Sequence, residues 1–119
     1  MKILIIDDEE DMRFIISFSL MEAGFEVIKA ASGLEAIKLL QTSVPDAILV
    51  DYLMPDMDGL SLMNQIKETV SPPVPFIYLT GKSDSDTLNK LKSSGAKGII
   101  EKPFDPTIFA NTVQALLKE

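Results

Sequence analysis

The sequence lacks two residue types that carry much of protein chemistry, because its 119 residues contain no cysteine and no histidine. Without cysteine there are no disulfides and no thiol catalysis, and the usual ligands of zinc are missing. Imidazole acid–base chemistry is excluded as well. Any chemistry in this chain must therefore use oxygen and ammonium groups.

Positive charge and long hydrophobic runs are also scarce. The net charge is −7, and Arg13 is the only arginine, whereas nucleic-acid binding needs clustered lysine and arginine. No run approaches the ~18 apolar residues of a membrane span, and the N-terminus MKILIIDDEEDM turns acidic too early for a signal peptide. We therefore expect a cytoplasmic protein that binds neither nucleic acid nor membrane.

Short apolar runs alternate along the chain with segments of helical period. Three of the runs, 3–6, 47–50 and 76–79, are apolar throughout, as expected of central parallel strands covered on both faces. The pattern predicts an α/β fold with an open parallel sheet, in one domain spanning residues 1–119. The predicted strands are 2–6, 25–30, 46–50, 74–79 and 98–100, and the predicted helices are 9–23, a segment from 32, 58–70, 83–94 and 106–118.

Helical periodicity also predicts which faces are buried. In the helix 83–94 the candidates are Leu88 and Leu91, and Pro72, Pro73 and Pro75 separate the third helix from the next strand. The predicted core stripe of the first helix is Met12, Ile15, Ile16, Ser19, Leu20 and Ala23, and that of the last helix is Ile108, Phe109, Val113, Leu116 and Leu117.

Polar residues follow four of the predicted strands. In an open α/β sheet the carboxyl ends of the strands meet in one crevice, where functional groups gather. Three carboxylates, a hydroxyl and an ammonium group should therefore converge. They belong to Asp7, Asp8, Asp51, Thr80 and Lys102.

Carboxylates placed so closely repel one another until a cation neutralises them. A hard divalent ion with oxygen ligands, Mg²⁺ first, is the expected occupant. Asp51 would then present an oxygen as a nucleophile for a phosphoryl group, beside Lys102 and Thr80. Taken singly, each aspartate could be a helix cap, Thr80 a strand residue and Lys102 a solvated charge, but their combination favours a site.

Two other interpretations of the acidic segment fail. An EF-hand read from Asp56-Met57-Asp58-Gly59 would place Met54 at the first ligand position and Gln65 at the twelfth. A phosphatase of the haloacid dehalogenase type would need a second aspartate two residues after its nucleophile, where Leu53 stands.

The ordered set of motifs resembles the receiver domain of bacterial two-component response regulators, such as the chemotaxis regulators, over essentially the whole chain. It consists of ILIIDDE at 3–9, ILVDYLMPDMDG at 48–59, YLTGK at 78–82 and GAKGIIEKPF at 95–104. The resemblance implies a flavodoxin-like, doubly wound sheet of five parallel strands in the order 2-1-3-4-5 with five helices.

The resemblance also implies a role for each matching residue. Asp51 would be the phosphoacceptor, Lys102 would pair with the phosphoryl oxygens, and the Lys102–Pro103 peptide bond would be cis. Thr80 would move its hydroxyl onto the phosphoryl group and so change the 4-5-5 surface, formed by the fourth helix, fifth strand and fifth helix. Asp8 would bind Mg²⁺ directly, Asp7 largely through water, and Asp51 and the backbone carbonyl of Leu53 would complete the protein ligands.

Three features depart from the family pattern or add to it. Ile99 stands where receivers commonly carry an aromatic switch residue, so Thr80 and the fourth helix should carry the switch. Leu53 and Lys82 offer no group to orient an attacking water, which predicts slow dephosphorylation. Phe14, Phe18 and Met21 form an apolar outer face on the first helix, which is either ordinary exposed surface or a contact for the kinase or a second copy.

We expect a signalling switch that is not an enzyme in the usual sense, although it would catalyse its own phosphorylation and slow dephosphorylation. Its partners would be a sensor histidine kinase or histidine phosphotransfer protein and a possible effector protein, with the chain a monomer or weak homodimer. The alternatives are an enzyme acting on an external phosphate ester or nucleotide, and a receiver used only for protein interaction. The output is left open between a stand-alone regulator, a relay and part of a longer protein.

Overall fold

The computed structural model describes residues 1–70 and 73–118 and contains five strands that alternate with five helices. All five predicted strands match to within a residue at their C-terminal ends, because apolar runs of this length are the strongest signal in the sequence. The elements are β1 Lys2–Ile6, α1 Glu10–Glu22, β2 Glu26–Ala30, α2 Gly33–Leu40, β3 Ala47–Asp51, α3 Gly59–Thr69, β4 Phe76–Thr80, α4 Ser85–Lys92, β5 Gly98–Glu101 and α5 Phe109–Leu117.

The strands form one parallel sheet in the order β2-β1-β3-β4-β5, which confirms the predicted doubly wound α/β fold. The central strands β3 and β4 are buried along their whole length. Because β1, β3 and β4 are neighbours, the residues at their carboxyl ends are brought to the same part of the sheet edge.

Two hydrophobic clusters cover the two faces of the sheet. Side chains alternate between the faces along each strand, so Val50 and Tyr78 belong to one cluster and Leu49 and Leu79 to the other. The first cluster includes residues of α2, α3 and α4, and the second includes residues of α1 and α5. The two-sided core explains why the central strands are continuously apolar.

The predicted core stripe of α1 is wrong at its edges. Ile16 and Leu20 are buried, but Ile15 is 38% exposed and Ala23 is also exposed, while the unpredicted Ser17 is buried. A helix lying beside α5 on one sheet face has only a narrow contact stripe, so the positions at its margins face solvent. Phe14, Phe18 and Met21 are exposed, as predicted.

The last helix begins three residues later than predicted. Ile108 precedes the first residue of α5 and is 54% exposed, which corrects its assignment to the core. Asp105 accepts a hydrogen bond from the Thr107 backbone, and this turn replaces the predicted first helical turn. Of the prolines predicted to separate α3 from β4, Pro72 lies outside the described residues.

Among the described residues, no helix is both long and apolar enough to cross a membrane.

Candidate functional site

The five residues singled out by sequence lie at the carboxyl edge of the sheet. Asp7 follows β1, Asp51 ends β3, Thr80 ends β4 and Lys102 follows β5. The ends of adjacent strands also pair closely, with Asp51 opposite Leu79, the next-to-last residue of β4, and Thr80 opposite Glu101. The parallel topology therefore brings together side chains that are up to 95 residues apart in the sequence.

The three aspartates form the acidic cluster that the sequence predicts. Carboxylate oxygens of Asp7, Asp8 and Asp51 lie within 4.8 Å of one another. Asp7 and Asp51 are buried, whereas Asp8 is exposed. Converging carboxylate oxygens that remain open to water on one side are the donor set that a hard divalent cation such as Mg²⁺ requires. The residues present therefore fit this ion.

Lys102 contacts the acidic cluster through its ammonium group. Its Nζ lies 3.3 Å from Asp51 Oδ1 and 3.4 Å from Asp7 Oδ2. The Lys102 backbone N–H donates to the Thr80 carbonyl at 2.7 Å, and the Lys102–Pro103 peptide bond is cis, as the resemblance implied. The ammonium group is thus held against both buried carboxylates.

The charge state of Asp51 reflects competing influences. Burial raises its pKa from 3.8 to about 6, the Asp7 carboxylate adds to the rise, and the Lys102 ammonium opposes it. Burial by itself would lower the pKa of Lys102, but the carboxylates of Asp51 and Asp7 raise it above the ordinary value of 10.5. One ammonium group therefore only partly offsets the acidic cluster, which leaves it electrostatically suited to a further cation.

Asp7 is fixed by two contacts that the sequence reading missed. The Glu9 backbone N–H donates to Asp7 Oδ1 at 2.9 Å, and Arg13 Nη1 donates to the Asp7 carbonyl oxygen at 2.7 Å. In addition, Glu9 Oε1 lies 4.0 Å from Lys102 Nζ. Helical spacing is the signal that could have revealed Arg13, because it lies one turn beyond Glu9 in α1 and so faces the same end of β1.

Thr80 is buried, and its hydroxyl is engaged within the β4–α4 loop. Thr80 Oγ1 accepts from the Lys82 backbone N–H at 2.9 Å and donates to the Lys82 carbonyl at 3.2 Å. The hydroxyl therefore holds the loop that leads into α4. Any movement of this hydroxyl toward Asp51 would break both contacts.

Two exposed residues lie near the ends of the strands that carry the site: Leu53, two residues after Asp51, is 52% exposed, and Lys82 follows Thr80 in the β4–α4 loop. At the end of β3, α3 begins very close to the strand. The Gly59 N–H donates to the Tyr52 carbonyl at 2.7 Å, and a Cβ on Gly59 would stand 2.7 Å from the Asp51 carbonyl oxygen. Only glycine allows the helix to start this near the strand end.

Two further surface features are an apolar face on α1 and a groove of mixed polarity beside α4. On α1 the rings of Phe14 and Phe18 are stacked 6.3 Å apart at an interplanar angle of 18°. Between α4 and β5 there is a groove of about 270 Å³, here called the α4–β5 groove. It is lined by Leu88, Lys92, Ala96, Lys97, Gly98, Ile99 and Glu101.

Comparison with known families identifies the class of protein that this fold and site define. Residues 3–114 match the family model described as the response regulator receiver domain. The chain therefore belongs to the receiver domains of two-component response regulators.

Individual relatives agree with this assignment. The chain is 32% identical over 117 residues to the alkaline phosphatase synthesis transcriptional regulatory protein PhoP of Bacillus subtilis, which covers 98% of this chain and 48% of the relative. It is 39% identical over 101 residues to the DNA-binding transcriptional regulator NtrC of Klebsiella pneumoniae, covering 85% of this chain and 21% of the relative. The chain thus spans about half the length of PhoP and about a fifth of NtrC.

Solved structures match over nearly their full length. The chemotaxis response regulator CheY4 of Vibrio cholerae is 32% identical, with a TM-score of 0.87 and 97% of both chains covered. A two-component response regulator from Clostridium difficile is 27% identical, with a TM-score of 0.89, covering 100% of this chain and 97% of that one.

Proposed function

We propose that this receiver domain is a phosphorylation-dependent switch of a two-component system and that Asp51 accepts the phosphoryl group. The observation that carries the proposal is the position of Asp51: its carboxylate is buried at the end of β3, has a raised pKa, and lies 3.3 Å from Lys102 Nζ. A carboxylate buried at this strand end destabilises the folded state, so a functional role explains its position better than a purely structural one.

The proposed metal is Mg²⁺, with Asp8 as the direct ligand, Asp7 acting largely through water, and Asp51 and the Leu53 carbonyl completing the set. The exposure of Asp8 and the burial of Asp7 beneath Lys102 support this division of roles. When bound, the ion neutralises charge on the transferring phosphoryl oxygens.

In the proposed reaction a carboxylate oxygen of Asp51 attacks phosphorus. The donor is a phosphohistidine on a partner kinase or phosphotransfer protein, or a small acyl phosphate. An oxygen–phosphorus bond forms at Asp51 and the donor's bond to phosphorus breaks. The leaving group is an imidazole that takes up a proton when the donor is a phosphohistidine, and a carboxylate when the donor is an acyl phosphate. Lys102 stabilises the charge on the phosphoryl oxygens, as its ammonium group already does for the Asp51 carboxylate. The chain itself is a signalling protein and not an enzyme with an external substrate.

The proposed switch runs from Thr80 to the 4-5-5 surface. The Thr80 hydroxyl leaves Lys82 for the phosphoryl group, which frees the loop at the start of α4. Ile99 is half-buried and β-branched, so it has restricted rotamers and no hydroxyl to take part. The signal therefore passes through Thr80 and α4, and an effector protein reads it there.

The remaining proposals concern the lifetime of the acyl phosphate and the location and oligomeric state of the protein. The acyl phosphate hydrolyses slowly because Leu53 and Lys82 cannot orient a water. We place the protein in the cytoplasm, where its kinase or phosphotransfer partner and effector are found, and expect a monomer or weak homodimer that binds no nucleic acid through this chain.

Beryllofluoride, which mimics an acyl phosphate on aspartate, tests the site directly. A protein-bound ¹⁹F resonance should form with Mg²⁺ in the wild type and be absent from Asp51→Asn. Asp86→Asn, which neutralises an exposed carboxylate of α4, is the matched control and should behave like the wild type. An unchanged resonance in Asp51→Asn would place the acceptor elsewhere.

A further inference from the structure

The two ends of α4 are attached to the rest of the protein very differently. At the C-terminal end Leu91 is fully buried in the cluster between the sheet and α3. The Lys97 backbone N–H, just beyond this end, donates to the Phe76 carbonyl at 2.8 Å. The chain leaving α4 is therefore fastened to the first residue of β4.

Lys67, in the last turn of α3, adds a contact to the same end of α4. Its Nζ donates to the Ser94 carbonyl and lies 5.0 Å from the centre of the Phe76 ring. An ammonium group at this position satisfies a carbonyl beyond the helix end and is favoured by the helix dipole. Lys67 thus connects α3, β4 and the C-terminal end of α4 through one side chain.

The N-terminal end has few such contacts. Residues 83–86 are all exposed, and Thr87 is the buried residue of this half of α4. The helix is capped by Asp84, which accepts from the Thr87 backbone N–H at 3.0 Å, so this contact lies within the helix itself. The loop before it is held by the Thr80 hydroxyl through Lys82.

We propose that α4 moves as a lever pinned at its C-terminal end, with the Lys67–Ser94 hydrogen bond as the pin. This inference rests on the proposed function, because release of Lys82 by Thr80 is the event that frees the other end. The free end, residues 82–88, then shifts while residues 91–97 stay in place. Lys67 is a positioning residue, which acts on the switch through α4 and touches no reacting group.

The α4–β5 groove is the surface whose shape this movement of α4 would change. Leu88 is on the free half of α4, whereas Ile99 belongs to β5 and is fixed by the sheet. Motion about the pinned end therefore changes the separation of Leu88 and Ile99 and so the width of the groove. A pinned helix directs the change to this groove, whereas an unpinned helix would spread it along its whole length.

The absence of native cysteine allows both ends of α4 to be labelled singly. Asp86→Cys and Ser93→Cys would carry an environment-sensitive dye, each in the wild type, Lys67→Met and Lys90→Met backgrounds. Lys67→Met keeps an unbranched side chain and removes the donor, and Lys90→Met removes the same charge from the last turn of α4 itself. Hydrogen exchange is measured on the unlabelled proteins in the resting state.

On addition of Mg²⁺ and beryllofluoride, the dye at position 86 should respond and the dye at position 93 should not, in the wild type and in Lys90→Met. In Lys67→Met both dyes should respond. Resting-state exchange at residues 93–97 should rise about fivefold in Lys67→Met, as expected from loss of one such hydrogen bond. Equal responses at 86 and 93 in the wild type, or unchanged exchange in Lys67→Met, would overturn the proposal.

Failure of the proposed function gives a different result. If beryllofluoride does not bind, neither dye responds in any background. Hydrogen exchange in the resting state then decides whether Lys67 holds the C-terminal end of α4. Faster exchange at residues 93–97 in Lys67→Met, but not in Lys90→Met, supports this role, and unchanged exchange contradicts it.

Discussion

At the residue scale, the surroundings of Asp51 act on its carboxylate in opposite directions. Burial and Asp7 disfavour the carboxylate, while Lys102 favours it. A folded-state pKa of about 6, above the ordinary 3.8, means that the native state loses stability as the pH rises through this interval. A cation that binds the ionised cluster reverses this loss.

Stabilisation by Mg²⁺ should accordingly depend on pH. At about pH 7.5 a saturating concentration near 100 times Kd should add ~2.7 kcal/mol to the free energy of unfolding, and at about pH 5 clearly less, because protons compete with the ion. Thermal unfolding with Mg²⁺ or with chelator at both pH values measures this. Asp8→Ala should abolish the stabilisation by Mg²⁺. If Mg²⁺ raised the unfolding temperature of this variant as much as that of the wild type, the proposed ligands would be wrong.

Leu53 and Lys82 should set the lifetime of the phosphorylated protein. The double variant Leu53→Asn, Lys82→Glu supplies a carboxamide and a carboxylate that can orient water, so dephosphorylation should accelerate about tenfold. The rate is followed as loss of phosphoryl mass after the donor is removed. Val44→Asn changes another exposed apolar side chain and should leave the rate unaltered; a wild-type lifetime of only seconds would contradict slow hydrolysis.

At the element scale, the close start of α3 positions the end of β3. Gly59→Ala should lower the free energy of unfolding by about 1–3 kcal/mol, since the added Cβ meets the Asp51 carbonyl, a backbone atom that cannot yield cheaply. Urea titration measures the change. Gly81→Ala is the control, because nothing lies within 4 Å of its Cβ position. Equal stability of the two variants would show that α3 can shift freely.

Most of the architecture was predictable because short apolar runs and helical periodicity mark the strands and helices locally, while the strand order followed from the resemblance to receiver domains. Asp51, Thr80 and Lys102 could be assembled from sequence since each directly ends or follows a strand. The burial of α1 was less predictable, because the width of its contact stripe depends on where α5 lies. The start of α5 was missed for the same kind of reason: the turn held by Asp105 competes with helix over residues 106–108.

Two contacts that long side chains make with backbone atoms were not predicted. Arg13 reaches the Asp7 carbonyl and Lys67 reaches the Ser94 carbonyl, and both partners are backbone atoms. Helical spacing could have suggested that Arg13 faces the end of β1, but a backbone carbonyl leaves no mark in the sequence, so the carbonyl that each side chain binds is seen only in the folded arrangement.

At the scale of the whole molecule, two surfaces outside the acidic cluster have separate proposed uses. The outer face of α1 and the α4–β5 groove belong to opposite sides of the sheet. This separation would let a phosphoryl donor contact one surface while an effector reads the other.

Phe14→Glu tests whether the outer face of α1 is used by the kinase. Phosphotransfer from the kinase should fall at least about tenfold, as for loss of a central apolar contact, while phosphorylation by acetyl phosphate should keep its rate. Val44→Glu introduces the same charge at another exposed apolar residue and serves as the control. Unchanged kinase rates in Phe14→Glu would leave this face as ordinary exposed surface.

The most direct test of the central claim is the intact mass of the protein after incubation with acetyl phosphate. With Mg²⁺ the wild type should gain one phosphoryl group, which hydroxylamine removes as expected for an acyl phosphate. The gain should be absent with chelator and absent in Asp51→Asn. A gain that persists in Asp51→Asn, or no gain in the wild type although Mg²⁺ binds, would contradict Asp51 as the acceptor from this donor.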